Sequence, residues 1–327
     1  LQNCLAIEYP RERLEILVAS DGSVDATCEI ARRYAERGVG LLAFPRRRGK
    51  ASVLNDAIAA AAGEVLCLCD ANVMFRPDAL RRLVGWLADE RIGAACGDVR
   101  LASEESDFGQ GESLYYRIER GIQLGESRIG SIMGVDGGMY VVRKHLCRPL
   151  APDTILDDFV ISMDVIRSGH RVVYDPDAVA SENGTPSSGQ EFRRRVRVAA
   201  GAVQSLKRGE FPPPWMPVEF WQFLSHKLLR WLEPIVLVAL LAANVGLCAD
   251  SMWYTWALAG QAACWLVALA GAISARFRAT RLGGVAFYFA LSQVAISVGL
   301  VKGVFNRQKV TWTKADRGAP RLETTST

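Results

Sequence analysis

The chain has 327 residues, half of them apolar, and a formal net charge of +4, with a mean hydropathy of +0.11. That length allows roughly two domains, the hydropathy is high for a purely soluble protein, and the charge is too small to argue for a nucleic-acid partner. Residues 1–230 are charged and loop-rich, whereas 231–304 carry long apolar runs, a shift that marks a soluble domain followed by a membrane domain. The eight cysteines show no metal-ligand spacing. Cys67 and Cys69 alternate within one apolar run, and Cys248 and Cys264 lie in the apolar tail, so most read as small buried hydrophobes in a reducing compartment.

The chain opens at Leu1-Gln2-Asn3 without an initiator Met or signal segment, which reads as an N-terminal truncation. The first apolar run, 14–20 (LEILVAS), ends in Asp21-Gly22-Ser23, and 24–37 has helical spacing with Ser23 available as its N-cap. A short strand at 41–45 is followed by the basic loop Arg46-Arg47-Arg48-Gly49-Lys50 and a helix over 51–62. Gly49 lets the backbone approach closely at a helix start, and Lys50 adds an ammonium where a helix N-terminus already favours anions; the alternative is a solvated basic turn.

The run 65–77 (VLCLCDANVMFRP) reads as a strand buried on both faces of a parallel sheet, with Asp70 at its carboxyl end, where ligands bind in open α/β sheets. Strand, helix, strand, helix, strand implies right-handed parallel crossovers, with Asp21 and Asp70 at one edge of one sheet. Asp70-Ala71-Asn72 offers two oxygen-bearing side chains to a hard cation such as Mg²⁺ or Mn²⁺, or else forms an ordinary turn or helix cap.

Further on, 92–101 reads as a strand, 115–124 as a helix, and 131–143 as a turn rich in glycine feeding a strand, where Gly137 and Gly138 permit close approach of a ligand. Asp157 and Asp158 open a helical pattern: they are either dipole-favoured caps or a general base with an orienting neighbour whose pKa values are driven apart. Residues 171–181 read as a strand pair, and in 190–201 (QEFRRRVRVAAG) Arg194 and Arg197 share a helical face suited to diphosphate or carboxylate. A stiff Pro-rich linker at 211–215 leads to an amphipathic, interfacial helix at 220–231 and three candidate spans, 234–248, 252–275 and 283–304. Lys227, Arg230, Arg276, Arg278 and Arg281 place the start of the first span and the loop after the second on the cytoplasmic side; the basic tail after the third conflicts with an odd number of crossings.

Taken in order, LEILVASDGSVDAT, GKASVLNDAI, GEVLCLCDAN, the acid pair, the arginine run and the apolar C-terminal segments resemble the membrane-integrated family 2 glycosyltransferases, the group of hyaluronan, poly-N-acetylglucosamine and cellulose synthases. The resemblance spans nearly the whole chain and rests on the order and spacing of the motifs. It implies a fold of the α/β class: a GT-A domain, Rossmann-like with a mostly parallel sheet, over 1–210, its first strand lying outside the chain; a linker and interfacial helix over 211–233; about three transmembrane spans over 234–304; and a basic polar tail over 305–327.

It also implies a nucleotide-sugar donor, usually a UDP-sugar, a Mg²⁺ or Mn²⁺ cofactor, a polysaccharide or lipid-linked acceptor, contact with membrane lipids, no nucleic acid, and a multi-pass protein of the inner membrane with a cytoplasmic catalytic domain. By the same resemblance Asp21 and Gly22 contact uracil or ribose, Lys50 lies near the phosphates, and Asp70 with Asn72 matches the metal-binding DxD triplet. Asp158 matches the general base with Asp157 beside it, Gly137 and Gly138 fall on the acceptor side, and Arg194 and Arg197 fall on the QxxRW helix that closes over the diphosphate. Asn72 departs from the second Asp of the triplet, Arg194 from Gln and Val198 from Trp. The implied activity is inverting transfer to a growing polysaccharide; the rivals are single transfer to a lipid or polyprenyl phosphate, and an inactive nucleotide- or polymer-binding subunit of an export assembly.

Overall fold

The computed structural model describes residues 1–101, 110–183 and 187–308; the basic tail expected beyond residue 308 lies outside them. After a short helix, α1 (Gln2–Leu5), strands β1 (Ile16–Asp21) and β2 (Val39–Phe44) pair in parallel, joined by α2 (Thr27–Arg33). The helix α3 (Lys50–Ala60) leads to a second sheet made of β3 (Val65–Cys69), β4 (Met74–Phe75), β5 (Ile92–Leu101), β6 (Met139–Arg143) and β7 (Arg171–Glu182), in the order β3-β6-β5-β7-β4. Around it lie α4 (Ala79–Trp86), α5 (Gln110–Ile129), α6 (Asp157–Arg167) and α7 (Ser188–Arg208).

The expected layering of strands and helices is present, but strand direction differs from the sequence reading. In the second sheet β5 and β7 are parallel, whereas β3–β6, β5–β6 and β4–β7 are antiparallel. β3 is therefore an edge strand and not a doubly buried central one. Its other edge faces a cavity of about 620 Å³ whose far wall includes Leu14, Glu15 and Leu17, so Asp21 and Asp70 close strands of two different sheets. A short apolar run reports that a strand is shielded from water; it carries no information about the direction of the strand beside it. The doubly buried strand is β5, whose residues from Ile92 through Asp98 are all buried between β6 and β7.

Other local readings are also corrected. Residues 171–181 belong to a single strand with a register irregularity rather than a pair. The second helix begins at Thr27, whose N–H donates to Asp25 Oδ1 at 3.1 Å, while the hydroxyl of Ser23 accepts from Ser20 Oγ at 2.9 Å instead of capping. Of the eight cysteines, all unpaired, only Cys96 is buried; Cys69 and Cys264 are exposed, because an edge strand and an apolar surface helix leave one side uncovered.

The C-terminal part continues through α8 (Pro217–Gln222), a π-helical turn over Phe223–Leu228, α9 (Leu229–Leu247), α10 (Met252–Ile273), the short α11 (Ala275–Arg278) and α12 (Arg281–Val304). Among the described residues three helices are long and apolar enough to cross a membrane: Pro217–Leu247, Met252–Ile273 and Arg281–Val304. The amphipathic segment and the first span are thus one helix. Its aromatic face docks on the sheet domain: Phe223 and Trp231 are buried in the main core, Trp231 lying 5.6 Å from the Phe159 ring and Phe223 stacking on Phe211 at 5.3 Å. Helical spacing defined that face without saying which surface it meets.

The last apolar helix is bound just as closely. A Cβ at Gly299 of α12 would lie 2.5 Å from Ala199 Cβ and 2.6 Å from the Val196 carbonyl, so the α7 and α12 backbones meet with no room for a side chain. Lys207 of α7 donates to the carbonyls of Gly303 at 3.0 Å and Val304 at 2.7 Å, satisfying the end of α12. Helix α7 is thereby held between the sheet domain and an apolar helix.

Candidate active site

The site begins with the loop between β2 and α3. Asp21, at the tip of β1, accepts the N–H of Arg48 on Oδ1 (2.6 Å) and that of Gly49 on Oδ2 (2.9 Å). Two charge-assisted bonds to consecutive amides fix the loop's path. Gly22 is required beside it: its φ is +64°, and a Cβ there would stand 2.8 Å from the Arg47 nitrogen. Sequence reasoning assigned Asp21 a ligand-facing role and missed this loop-holding one.

With the loop so held, Lys50 opens α3 with its Nζ 3.3 Å from Asp70 Oδ1 and 3.1 Å from Asp157 Oδ2. One ammonium therefore joins the acid at the tip of β3 to the acid pair that opens α6. Burial alone would lower the Lys50 pKa, but the carboxylates of Asp157, Asp70 and Asp158 carry it well above its ordinary value, so it stays charged.

Asp157 is buried and Asp158 partly so, both in the first turn of α6, where the helix dipole favours negative charge. Asp158 Oδ1 accepts the Phe159 N–H at 2.7 Å. Burial pushes the Asp158 carboxyl up to about 6, the charge of Asp157 adding to the shift and Lys50 opposing it. Gly137 lies directly against this group: a Cβ there would meet Asp158 Oδ2 at 2.7 Å. The neighbouring Asp136 accepts the Gly138 N–H at 2.9 Å, and burial raises its carboxyl too.

A cavity of about 280 Å³ extends from Asp158, Asp136 and Gly137 past Tyr116 and Arg194 to Trp231 and Ile296, linking Asp158 to the apolar helices. Arg194 lines it, donating to Tyr116 Oη at 3.2 Å and lying 3.6 Å from Glu191. Arg197 does not line it; its guanidinium donates to the Ile155 carbonyl at 2.8 Å, just ahead of the acid pair. The two arginines that the sequence joined on one face thus have separate surroundings.

Arg195 and Glu191 escaped the sequence reading. Glu191 is 1% exposed, paired with Arg195 at 2.8 Å, and Arg195 lies over the rings of Tyr115 (4.9 Å) and Tyr288 (4.6 Å). Burial alone would raise the Glu191 carboxyl, yet Arg194 and Arg195 bring it below its ordinary value. The spacing of an acid three and four residues before two arginines was the available signal; the partner tyrosines, far away in sequence, had none.

Asn72 donates through Nδ2 to Glu182 Oε2 at 3.2 Å. Among the described residues no group of three or more His, Cys, Asp or Glu forms a ready-made metal cage. The oxygens of Asp70 and Asn72 nonetheless suit Mg²⁺ or Mn²⁺, which take few protein ligands and share the rest with substrate phosphates.

The profile described as Glycosyl transferase family 2 matches residues 1–148. The poly-beta-1,6-N-acetyl-D-glucosamine synthase of Staphylococcus aureus (strain COL) is 27% identical over 217 residues, 64% of this chain and 52% of that protein. Its counterpart in Staphylococcus epidermidis is 26% identical over 235 residues, 70% of this chain and 54% of that protein. The chain spans about half the length of the curated relatives it matches. Among solved structures, the mannosyltransferase PcManGT of Pyrobaculum calidifontis, in complex with GDP-Man and Mn²⁺, superposes with a TM-score of 0.68 at 24% identity, covering 94% of this chain and 82% of that one. That likeness gives the fold as GT-A-like, and within it residues 1–148 match the glycosyl transferase family 2 domain.

Proposed function

We propose that this protein is a membrane-bound inverting glycosyltransferase that moves a sugar from a nucleotide-sugar, a UDP-sugar in the first instance, to a growing polysaccharide. The observation that carries the reading is Lys50, whose single ammonium lies within 3.3 Å of both the strand-tip acid Asp70 and the helix acid Asp157, so that one cation joins a diphosphate-binding edge to the neighbour of the base. The names of the staphylococcal synthases support a polysaccharide product, and the GDP-Man and Mn²⁺ bound to the mannosyltransferase support a nucleotide-sugar donor and a divalent cation.

In this reading Asp158 accepts the proton of an acceptor hydroxyl, whose oxygen attacks the anomeric carbon as the nucleoside diphosphate departs from the opposite face. A pKa near 6 suits a base in that position, since the carboxylate is ionised at neutral pH yet basic enough to draw the proton. Asp157 keeps Lys50 close, and Lys50 and Arg194 offset negative charge on the leaving diphosphate. A divalent cation held by Asp70 and Asn72 would supply further neutralisation there. The turn at Asp21 and Gly22 serves the nucleoside end, Gly137 and Gly138 the acceptor side, and Arg197 steadies the segment entering α6. Three apolar helices, with Lys227, Arg230, Arg276, Arg278 and Arg281 at their ends, support a multi-pass inner-membrane protein whose sheet domain is cytoplasmic.

A donor screen on the protein in membranes, with release of nucleoside diphosphate and product sizing as readouts, tests this. Asp158→Asn is expected to lower transfer about 10²–10⁴-fold while leaving nucleotide binding intact. No release from any UDP- or GDP-sugar by the wild-type protein overturns the reading, and a single added sugar in place of a ladder moves it to the non-processive, lipid-acceptor alternative.

A further inference from the structure

The triplet Asp70-Ala71-Asn72 carries one carboxylate, where two would hold a hard cation more firmly. The missing charge is not absent from the neighbourhood. Strand β7 runs antiparallel to β4 with Met74 opposite Ser181 and Phe75 opposite Ala180, a register that brings Glu182 alongside the residues just before β4. Its Oε2 accepts the Asn72 amide N–H at 3.2 Å, across 110 residues of sequence. The glutamate is half-buried at the end of β7, so its carboxylate is turned to the same strand end that carries Asn72.

An amide has two ends with different chemistry. Donating its NH₂ to a carboxylate commits that end and leaves Oδ1 as the atom that can ligate a cation. Hydrogen bonds of this kind orient ligands and raise their donor strength, because the acceptor's negative charge polarises the amide. Asn72 and Glu182 together then carry one negative charge, the same as an Asp in Asn72's place with a neutral partner.

From this geometry we propose that Glu182 is the positioning residue of the cation site: it holds Asn72 with its carbonyl oxygen toward the metal and restores the charge that an Asn in the triplet removes. The inference rests on the cation-dependent transferase reading above and adds to it a residue from the far end of the sheet domain.

Mn²⁺ binding tests the proposal, read from the electron paramagnetic resonance signal of free Mn²⁺ during titration into the full chain in detergent, premixed with equimolar UDP. Glu182→Gln is expected to weaken Mn²⁺ binding roughly 10–100-fold, the usual loss for a partner behind a metal ligand. The double variant Asn72→Asp with Glu182→Gln, which moves the charge without changing its sum, is expected to recover affinity to within about threefold of wild type; this recovery separates the role from a structural one. Wild-type affinity in Glu182→Gln overturns the inference while leaving the transferase reading standing. A weakened Glu182→Gln that the double variant does not recover overturns it as well, assigning Glu182 to strand-end structure alone. If the wild-type protein binds no Mn²⁺ with UDP, the cation-dependent reading fails and this inference with it.

Discussion

Gly137→Ala is the sharpest probe of the acid pair, because it adds one methyl group aimed at one atom. The new Cβ would lie 2.7 Å from Asp158 Oδ2, where ordinary contact begins near 3.4 Å, so the carboxylate has to withdraw by about 0.7 Å. Its other oxygen is tied to the Phe159 N–H at 2.7 Å and resists rotation, which turns the push into displacement of the whole group. A misplacement of about 1 Å at a reacting group costs on the order of 10²-fold in rate, so turnover is expected to fall roughly 10- to 100-fold. The fold is not expected to suffer, since Gly137 is not among the glycines with positive φ and an alanine adopts its backbone conformation without strain. Steady-state release of nucleoside diphosphate measures the loss, with nucleotide affinity and melting temperature in detergent as controls. Wild-type turnover in a folded Gly137→Ala protein would refute the assignment of Asp158 as base.

Transfer is expected to rise with pH through about 6 as Asp158 ionises, and Lys50→Gln, which removes the charge opposing that shift, should move the acidic limb of the pH–rate profile upward. The folded-state pKa of Asp158 lies above its unfolded value near 4, so the native protein binds the extra proton between those values; its stabilising effect is complete below about pH 4 and is lost as pH rises through about 6. Asp158→Asn should therefore raise stability at pH 7.5, by on the order of 3 kcal/mol, and not at pH 4; equal melting temperatures of mutant and wild type at pH 7.5 would count against a buried, raised carboxyl. Asp21→Ala removes the acceptor of two backbone amides, each charge-assisted bond contributing about 1.5–3 kcal/mol; hydrogen exchange at Arg48 and Gly49 should accelerate and nucleotide affinity should drop. Gly299→Ala places a methyl against the Val196 carbonyl at 2.6 Å, a backbone atom that cannot swing aside, and should cost about 1–3 kcal/mol in thermal stability measured in detergent.

The properties legible in the sequence were the local ones. The bounds of β5 at Ile92–Leu101 coincide with the apolar run, the acid pair does open a helix, and apolar helices occupy 252–273 and 281–304 close to the expected spans, because period and composition act through neighbouring residues on the backbone. The strand-tip position of Asp70 and the helix-start position of Lys50 were readable for the same reason, as each lies where a periodic pattern stops. Which strands pair, and in which direction, was not: β3 presents the same five residues whether it runs beside a parallel or an antiparallel neighbour. Nor could spacing show that Glu182 meets Asn72, that Arg194 meets Tyr116 while Arg197 turns to Ile155, or that the amphipathic segment covers the sheet domain. Those contacts join residues tens to more than a hundred positions apart, and they exist only once all the buried faces have been packed together. The sequence alone determined which chemical groups this protein has and which secondary elements carry them; the tertiary structure decided which of them share a crevice, since that depends on non-local packing that no local period encodes.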